Sequence, residues 1–377
     1  MEVKVIRDVK TFDNLRDQIN ALVIEGNYDI TLTWEWLSTW WAVFEDNRSL
    51  YVLALFDNKD LIGIAPFYIL NKTISFLASG EDERDEICSD YHSFIIKNGF
   101  EDIFFEHIFC FLIKNKSEWN IINLSDFFQT TPVYPAFLRA AATFKDISIE
   151  TGDTHVCPYI QLPGSWDDYV KQTKVENRIQ INRKIRNLSK HGVLRYDIVN
   201  NPSELYAALN RLAILHEYKW AEKGEQGCFT RSKRFVLFHE KLIEQIKQFG
   251  AIRFYFLSVN NVDVAGMYGF IHNKTYYYYQ TGNNTSIIPK SSPQTVLIAF
   301  SIQDCISNGI FRFDFFKGNK GSYKYDWASN KKILTDILVM KRCTFHFWRF
   351  IIYGKLKSTF KYCAHLLLRK TTVKNVS

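Results

Sequence analysis

Residues 252–283 read IRFYFLSVNNVDVAGMYGFIHNKTYYYYQTGN, and residues 291–326 read SSPQTVLIAFSIQDCISNGIFRFDFFKGNKGSYKYD. Two β-type runs meet at a polar turn and a third follows. Then come a loop, a helix opened by Ser292-Pro293, a short strand ending at Asp314, and a close rich in Gly, Lys and Tyr. The run Tyr276–Tyr279 alternates faces on its strand, so two rings are expected inward and two on the opposite side, toward a sugar or lipid.

The hairpin in this stretch has a twin. LFDNKDLIGIAPFYILNKT, from Leu55, resembles LSVNNVDVAGMYGFIHNKT, from Leu257, with Gly63 matched to Gly266 and Asp60 to Asp263 at an offset of 203. Pro66 interrupts the first copy and marks a strand edge or bulge. With helices before the hairpin in both halves, the chain reads as two copies of one α/β unit: 1–160, 161–340, and a tail from 341 to 377.

The length of 377 residues allows two domains. The net charge of +7 is uneven: from Lys341 onward there are nine Lys or Arg and no acid. The body is therefore slightly acidic, and no nucleic-acid partner is expected. The seven Cys are odd in number and show no Cys-x-x-Cys spacing, so neither a disulfide framework nor a metal site is expected. No apolar run reaches the length of a membrane span. The tail mixes aromatics, aliphatics and cations, as an interfacial amphipathic helix does. A cytoplasmic protein with peripheral contact at the inner face of the membrane is the resulting expectation.

Along the chain, Thr11 is expected to cap a first helix. Thr33–Phe44 forms a second, with Trp36, Trp40 and Phe44 on its core-facing side. An acidic loop, 78–90, ends in Asp90-Tyr91-His92. Residues 101–114 and 132–144 are helical, and Phe144–Ile160 is β-like with turns. A basic helix spans Trp166–Gly192. Helices opened by Ser203 and Ser232 follow, the second closed by Gly250.

These features resemble the BioF2-like (CelD-like) acetyltransferases of the GNAT superfamily, tandem-fold proteins related to the FemABX aminoacyltransferases. The resemblance rests on Trp34–Trp41, Leu61–Phe67, Ser89-Asp90-Tyr91, Asn177-Arg178 through Arg186, Leu215-His216, Trp220, Gly224, Phe229, Ser292-Pro293, Asp314-Phe315, Gly318 and Tyr323-Lys324. It implies an α/β (α+β) fold of two tandem GNAT-like units, each a mixed, mainly antiparallel sheet flanked by helices. It also implies an N-acyltransferase using acetyl-CoA or another acyl-CoA, acting on an amine of a sugar or cell-surface polysaccharide precursor. The Arg/Gln-x-x-Gly-x-Gly/Ala phosphate signature is absent. The alternatives are a FemABX-like transferase fed by aminoacyl-tRNA and a non-catalytic membrane-associated binding protein. No long heptad insert of the kind FemABX relatives carry is visible.

Acyl transfer from a thioester needs a deprotonated acceptor, a polarised carbonyl and a proton for the leaving thiolate. His216 is the candidate base. Asp314 is an alternative, and the Tyr323 hydroxyl is a proton donor. A strand splay after Val264–Ile271 would place Gly266 and Met267 on the cofactor. The helix start Ser291, Ser292 and Gln294, with Lys290 beside it, would take the pyrophosphate. Asp90, Tyr91, Arg178, Arg183, Trp220 and Lys324 are the candidate substrate-binding residues.

Overall fold

The computed structural model describes residues 1–172, 175–289, 291–319 and 321–342, excluding the side chains of 175–180. The Arg178 side chain, Lys290 and the tail beyond Arg342 lie outside what the structure describes.

The N-terminal half runs β1 (Glu2–Ile6), α1 (Val9–Asp13), α2 (Arg16–Glu25), α3 (Trp34–Phe44), β2 (Ser49–Leu50), β3 (Val52–Asp57), β4 (Asp60–Ala65), β5 (Phe67–Leu70), β6 (Thr73–Phe76), β7 (Ile95–Ile96), α4 (Glu101–Lys114), β8 (Ile121–Phe128), α5 (Val133–Thr143) and β9 (Ile147–Gln161). The rest runs α6 (Trp166–Gln172), α7 (Val175–Ser189), β10 (Leu194–Val199), α8 (Leu205–Ala221), α9 (Cys228–Arg231), α10 (Lys233–Ile246), β11 (Ile252–Val259), β12 (Val262–His272), β13 (Thr275–Asn283), α11 (Pro293–Ser307), β14 (Arg312–Asp314), α12 (Lys324–Trp327) and β15 (Asn330–Lys341).

A four-stranded sheet has the order β1-β3-β4-β7. An eleven-stranded sheet has the order β10-β11-β12-β13-β14-β9-β15-β8-β6-β5-β2. Its joint is β9, a single long strand rather than β segments with turns: its last residues pair with β14 and the rest with β15. The expected course did not include β15, although it stands in mid-sheet between β8 and β9.

The repeat is real, but its offset is 202. Asn58 and Asn260 occupy equivalent turns, and the turns Asn71-Lys72 and Asn273-Lys274 lead into β6 and β13, all at positive φ. The short polar side chains of the four Asn lower the cost of that conformation. Gly63 and Gly266 are therefore one step out of register. Pro66 separates the copies: lacking an N–H, it ends β4, and the chain passes from the small sheet into the large one as β5. In the second copy β12 runs unbroken through the same region.

Asp8, not Thr11, caps α1, accepting from the Thr11 N–H. Ser232 caps α10 as expected, and Gly250 is left-handed beyond it. The basic stretch 166–192 is two helices, α6 and α7. Trp36, Trp40 and Phe44 are buried. Trp36 meets Phe238 of α10 and Phe270 of β12 edge-on at 5.2 and 5.4 Å, tying the halves together. The tyrosine run alternates, but neither pair faces out: Tyr276 and Tyr278 join one core, while Tyr277 joins the other and Tyr279 packs against it.

Candidate active site

β13 and β14 run parallel and pair over three residues, Thr275–Tyr277 with Arg312–Asp314. A bulge then leaves Tyr279 without a partner on β12, and β13 continues to Asn283 away from β14. Bulges bend strands and end pairing in this way. A cleft of about 710 Å³ lies at this divergence, lined by Lys184, Lys219, Thr281, Gln294, Thr295 and Tyr323 among others. The splay thus lies one strand beyond the expected place. β12 is paired on both edges: Gly266 leaves room for Leu212 and Leu215 of α8, and Met267 is buried in the core.

α11 starts at Pro293, as the sequence indicates, with Ser292 at the cap position and no acid in its first turn. Pro293 has no N–H, and the Thr295 and Val296 N–H groups donate to the Ser292 carbonyl at 3.1 and 3.4 Å, so the helix start offers an anion its dipole and the Gln294 N–H. Lys184 of α7 donates to Thr295 Oγ1 at 3.1 Å in that turn, and burial lowers its pKa. Ser291 Oγ lies 3.3 Å from His191 Nε2. Across the cleft, Lys219 donates to Thr281 Oγ1 at 2.9 Å. Burial, then the nearby Lys223 and Lys324 charges, bring its pKa down to about 8. The Tyr323 ring is 43 % exposed, but its hydroxyl turns inward to lie 2.8 Å from the Tyr278 hydroxyl, to which Gln294 also donates.

His216 lies behind this wall, only 2 % exposed. Its Nδ1 is 2.8 Å from the Thr281 carbonyl. A carbonyl can only accept, so Nδ1 carries the hydrogen and Nε2 is left to face the Cys228 N–H and thiol, at 3.4 and 3.3 Å. Burial pushes its pKa down to about 4. His216 is a neutral ring that fixes Thr281, not a basic group open to the cleft. α8 approaches this closely because Gly282 has no side chain: a Cβ there would strike the backbone of Leu215 and His216. Trp220, half-buried, packs beside His216 with its ring centroid 5.9 Å away.

Asp314 is fully buried and occupied. It accepts from the Tyr91 hydroxyl at 2.6 Å and the Phe316 N–H at 2.9 Å, and lies 3.1 Å from the Lys332 ammonium. Lys332 also bonds Asp29, which accepts from Tyr277. Burial would lower the Lys332 pKa, but Asp29 and Asp314 raise it on balance. Asp314 and Tyr91 therefore anchor the junction of the halves. Lys324 is spent on the Phe315 and Lys317 carbonyls, at 2.6 and 2.7 Å. Arg183 lies on an exposed side of α7. Asp90 lies apart from the cleft, against Lys317.

Among the described residues, Asp126, His155 and Asp336 come close enough to hold a cation. His155 Nε2 already lies 3.8 and 3.6 Å from the two carboxylates, and Lys317 lies 2.7 Å from Asp126. Sequence reasoning missed Lys184, Lys219 and Thr281. Lys219 is three residues beyond His216, on the same helix face, and that spacing is a signal the sequence carries.

Residues 176–325 match the model of the Acetyltransferase (GNAT) domain. No curated protein matches the chain. Among solved structures, the fold resembles that of FemX, at 11 % identity and TM-score 0.56 over 89 % of this chain and 97 % of that one. It resembles the C-terminal domain of a putative lysylphosphatidylglycerol synthetase from Agrobacterium fabrum, at 8 % identity and TM-score 0.52 over 90 % and 95 %. It also resembles a conserved protein of unknown function from Bacteroides thetaiotaomicron, at 12 % identity and TM-score 0.51 over 90 % and 100 %. The GNAT match thus falls in the C-terminal half of a chain whose fold resembles that of FemX.

Proposed function

We propose that the chain is an N-acyltransferase that takes acyl-CoA, acetyl-CoA first among the candidates, in the cleft between β13 and β14. The observation supporting this is the parting of those strands at the Tyr279 bulge, beside an acid-free helix start and two lysines, inside the GNAT-matching segment. Acyl-CoA supplies an activated carbonyl and a thiolate leaving group.

The first turn of α11 and Lys184 attract the phosphates. Lys219, held by Thr281, places positive charge where a carbonyl oxygen gains negative charge. The Tyr323 hydroxyl holds a proton at the cleft wall. His216 orients Thr281. The acceptor is the amine of a sugar or cell-surface polysaccharide precursor, by kinship with the BioF2-like branch. The basic tail brings the protein to an anionic membrane surface, where such precursors are handled. Calorimetric titration of the chain with acetyl-CoA tests the reading. One-to-one binding that weakens about tenfold in Lys184→Ala is expected, the loss of one charge-assisted contact. No heat from a folded chain overturns it.

A further inference from the structure

The repeat gives the N-terminal half a splay of its own. β6 and β8 are parallel and pair over three residues, Thr73–Ser75 with Ile121–Asn123. They mirror β13 and β14, and Thr73 and Thr275 are equivalent at the offset of 202. Where β6 and β8 part there is again a cavity, of about 390 Å³, with Ser75, Asn123 and Ser125 on its strand side.

Its electrostatics are the reverse of the first cleft. Glu81, Glu83, Glu86, Asp90 and Asp126 line it, against one ammonium, Lys317. Both ring nitrogens of His92 lie 2.9 Å from backbone carbonyls, of Ser125 and Ala78, and a neutral ring donates to only one of them. A phosphate is repelled here and a cation is attracted.

Asp90 adds an independent observation. It is 1 % exposed and lines the cavity. Its Oδ2 accepts from the Lys317 N–H at 2.5 Å, while Oδ1 has no hydrogen-bond partner and no cation nearer than Lys317 Nζ at 3.8 Å. That ammonium is itself engaged by Asp126 at 2.7 Å. A buried, unpaired carboxylate oxygen is costly and marks a place for a donor.

We propose that this second cavity binds a hydroxylated primary ammonium, the class to which an amino-sugar acceptor belongs, with Asp90 Oδ1 receiving the ammonium group and Ser75, Asn123 and Ser125 serving the hydroxyls. The repeat thus supplies an anion-binding and a cation-binding version of one splay. This cavity shares no lining residue with the acyl-CoA cleft and holds the ligand as an ammonium, so the proposal concerns binding and does not rest on the acyl-transfer reading above.

The test is calorimetric titration of the full chain with glucosamine and with glucose, beside a separate titration with acetyl-CoA. Glucosamine binding at least about tenfold tighter than glucose is expected, as one charged hydrogen bond provides. Asp90→Asn should remove about that factor while acetyl-CoA still binds. Glu86→Lys, on the exposed rim, should weaken glucosamine about threefold or more without touching the buried network. Glucosamine binding no tighter than glucose, or unchanged in both variants, overturns the proposal. Loss of acetyl-CoA binding alone, with glucosamine still bound, overturns the acyl-CoA reading and leaves this one standing.

Discussion

The Lys219 ammonium lies 2.9 Å from Thr281 Oγ1, on the strand segment that has just parted from β14. With its pKa drawn down to about 8, Lys219 carries charge at pH 7 and loses it above pH 8. If that charge stabilises the reacting carbonyl, the acetyl-CoA transfer rate falls as pH rises through 8. Lys219→Arg stays charged and should move the falling limb upward, and Lys219→Met should cost about a hundredfold in kcat. A pH–rate profile unchanged in Lys219→Arg contradicts the assignment.

His216 should not titrate near neutrality. Burial sets its pKa near 4, against an ordinary 6.5. Its folded pKa is below the unfolded one, so its contribution to stability is complete above pH 6.5 and is lost as pH falls toward 4. The ¹⁵N shifts of the ring should stay those of a neutral, Nδ1-protonated imidazole from pH 7.5 to 5.5. Titration with a midpoint near 6.5 would restore His216 as a candidate base.

Gly282 sets how closely α8 crosses β13. Gly282→Ala should cost about 1–3 kcal/mol, as overpacking does, and should weaken acetyl-CoA because Lys219 and His216 ride on that helix. Urea unfolding and calorimetry together check this. Wild-type stability and affinity in the variant would contradict the packing.

Lys332 bridges Asp29 and Asp314 at 2.7 and 3.1 Å, with all three buried. Lys332→Met strands two carboxylates and should destabilise by about 3–5 kcal/mol, read as a lower urea midpoint. An unchanged midpoint would remove Asp314 from its structural role and reopen the catalytic one.

The nine cations and absent acids from Lys341 onward predict binding to vesicles of anionic lipid that fades as salt is raised. Replacing Lys355, Lys357 and Lys361 with Gln should weaken it. Salt-independent binding, or none, counts against a membrane role for the tail.

Local chemistry made much of the fold legible. Asn-rich turns, the Ser232 cap, Pro66 and the Ser-Pro helix start each name their own backbone, so the hairpins, most helices and the repeat could be read; Ser203 does not cap α8, whose cap position is Glu204. β15 was missed because its strand identity comes from long-range partners, β8 and β9, each far away in sequence. The site was half legible. The helix start and Tyr323 line the cleft, but burial decided the rest. His216 has the residue type of a base and the surroundings of a neutral packing ring, while Lys219, an ordinary lysine in the sequence, is drawn toward neutral pH by the fold. Asp314 and Tyr91 share one hydrogen bond across 223 positions, a pairing that no local pattern signals.

The central claim is that acyl-CoA occupies the β13–β14 splay, and the structure of the chain with acetyl-CoA bound tests it most directly. The account predicts phosphates at Gln294, Thr295 and Lys184, with the thioester between Thr281 and Tyr323. Acetyl-CoA in the acidic cavity between β6 and β8, or anywhere away from the first turn of α11, would contradict it.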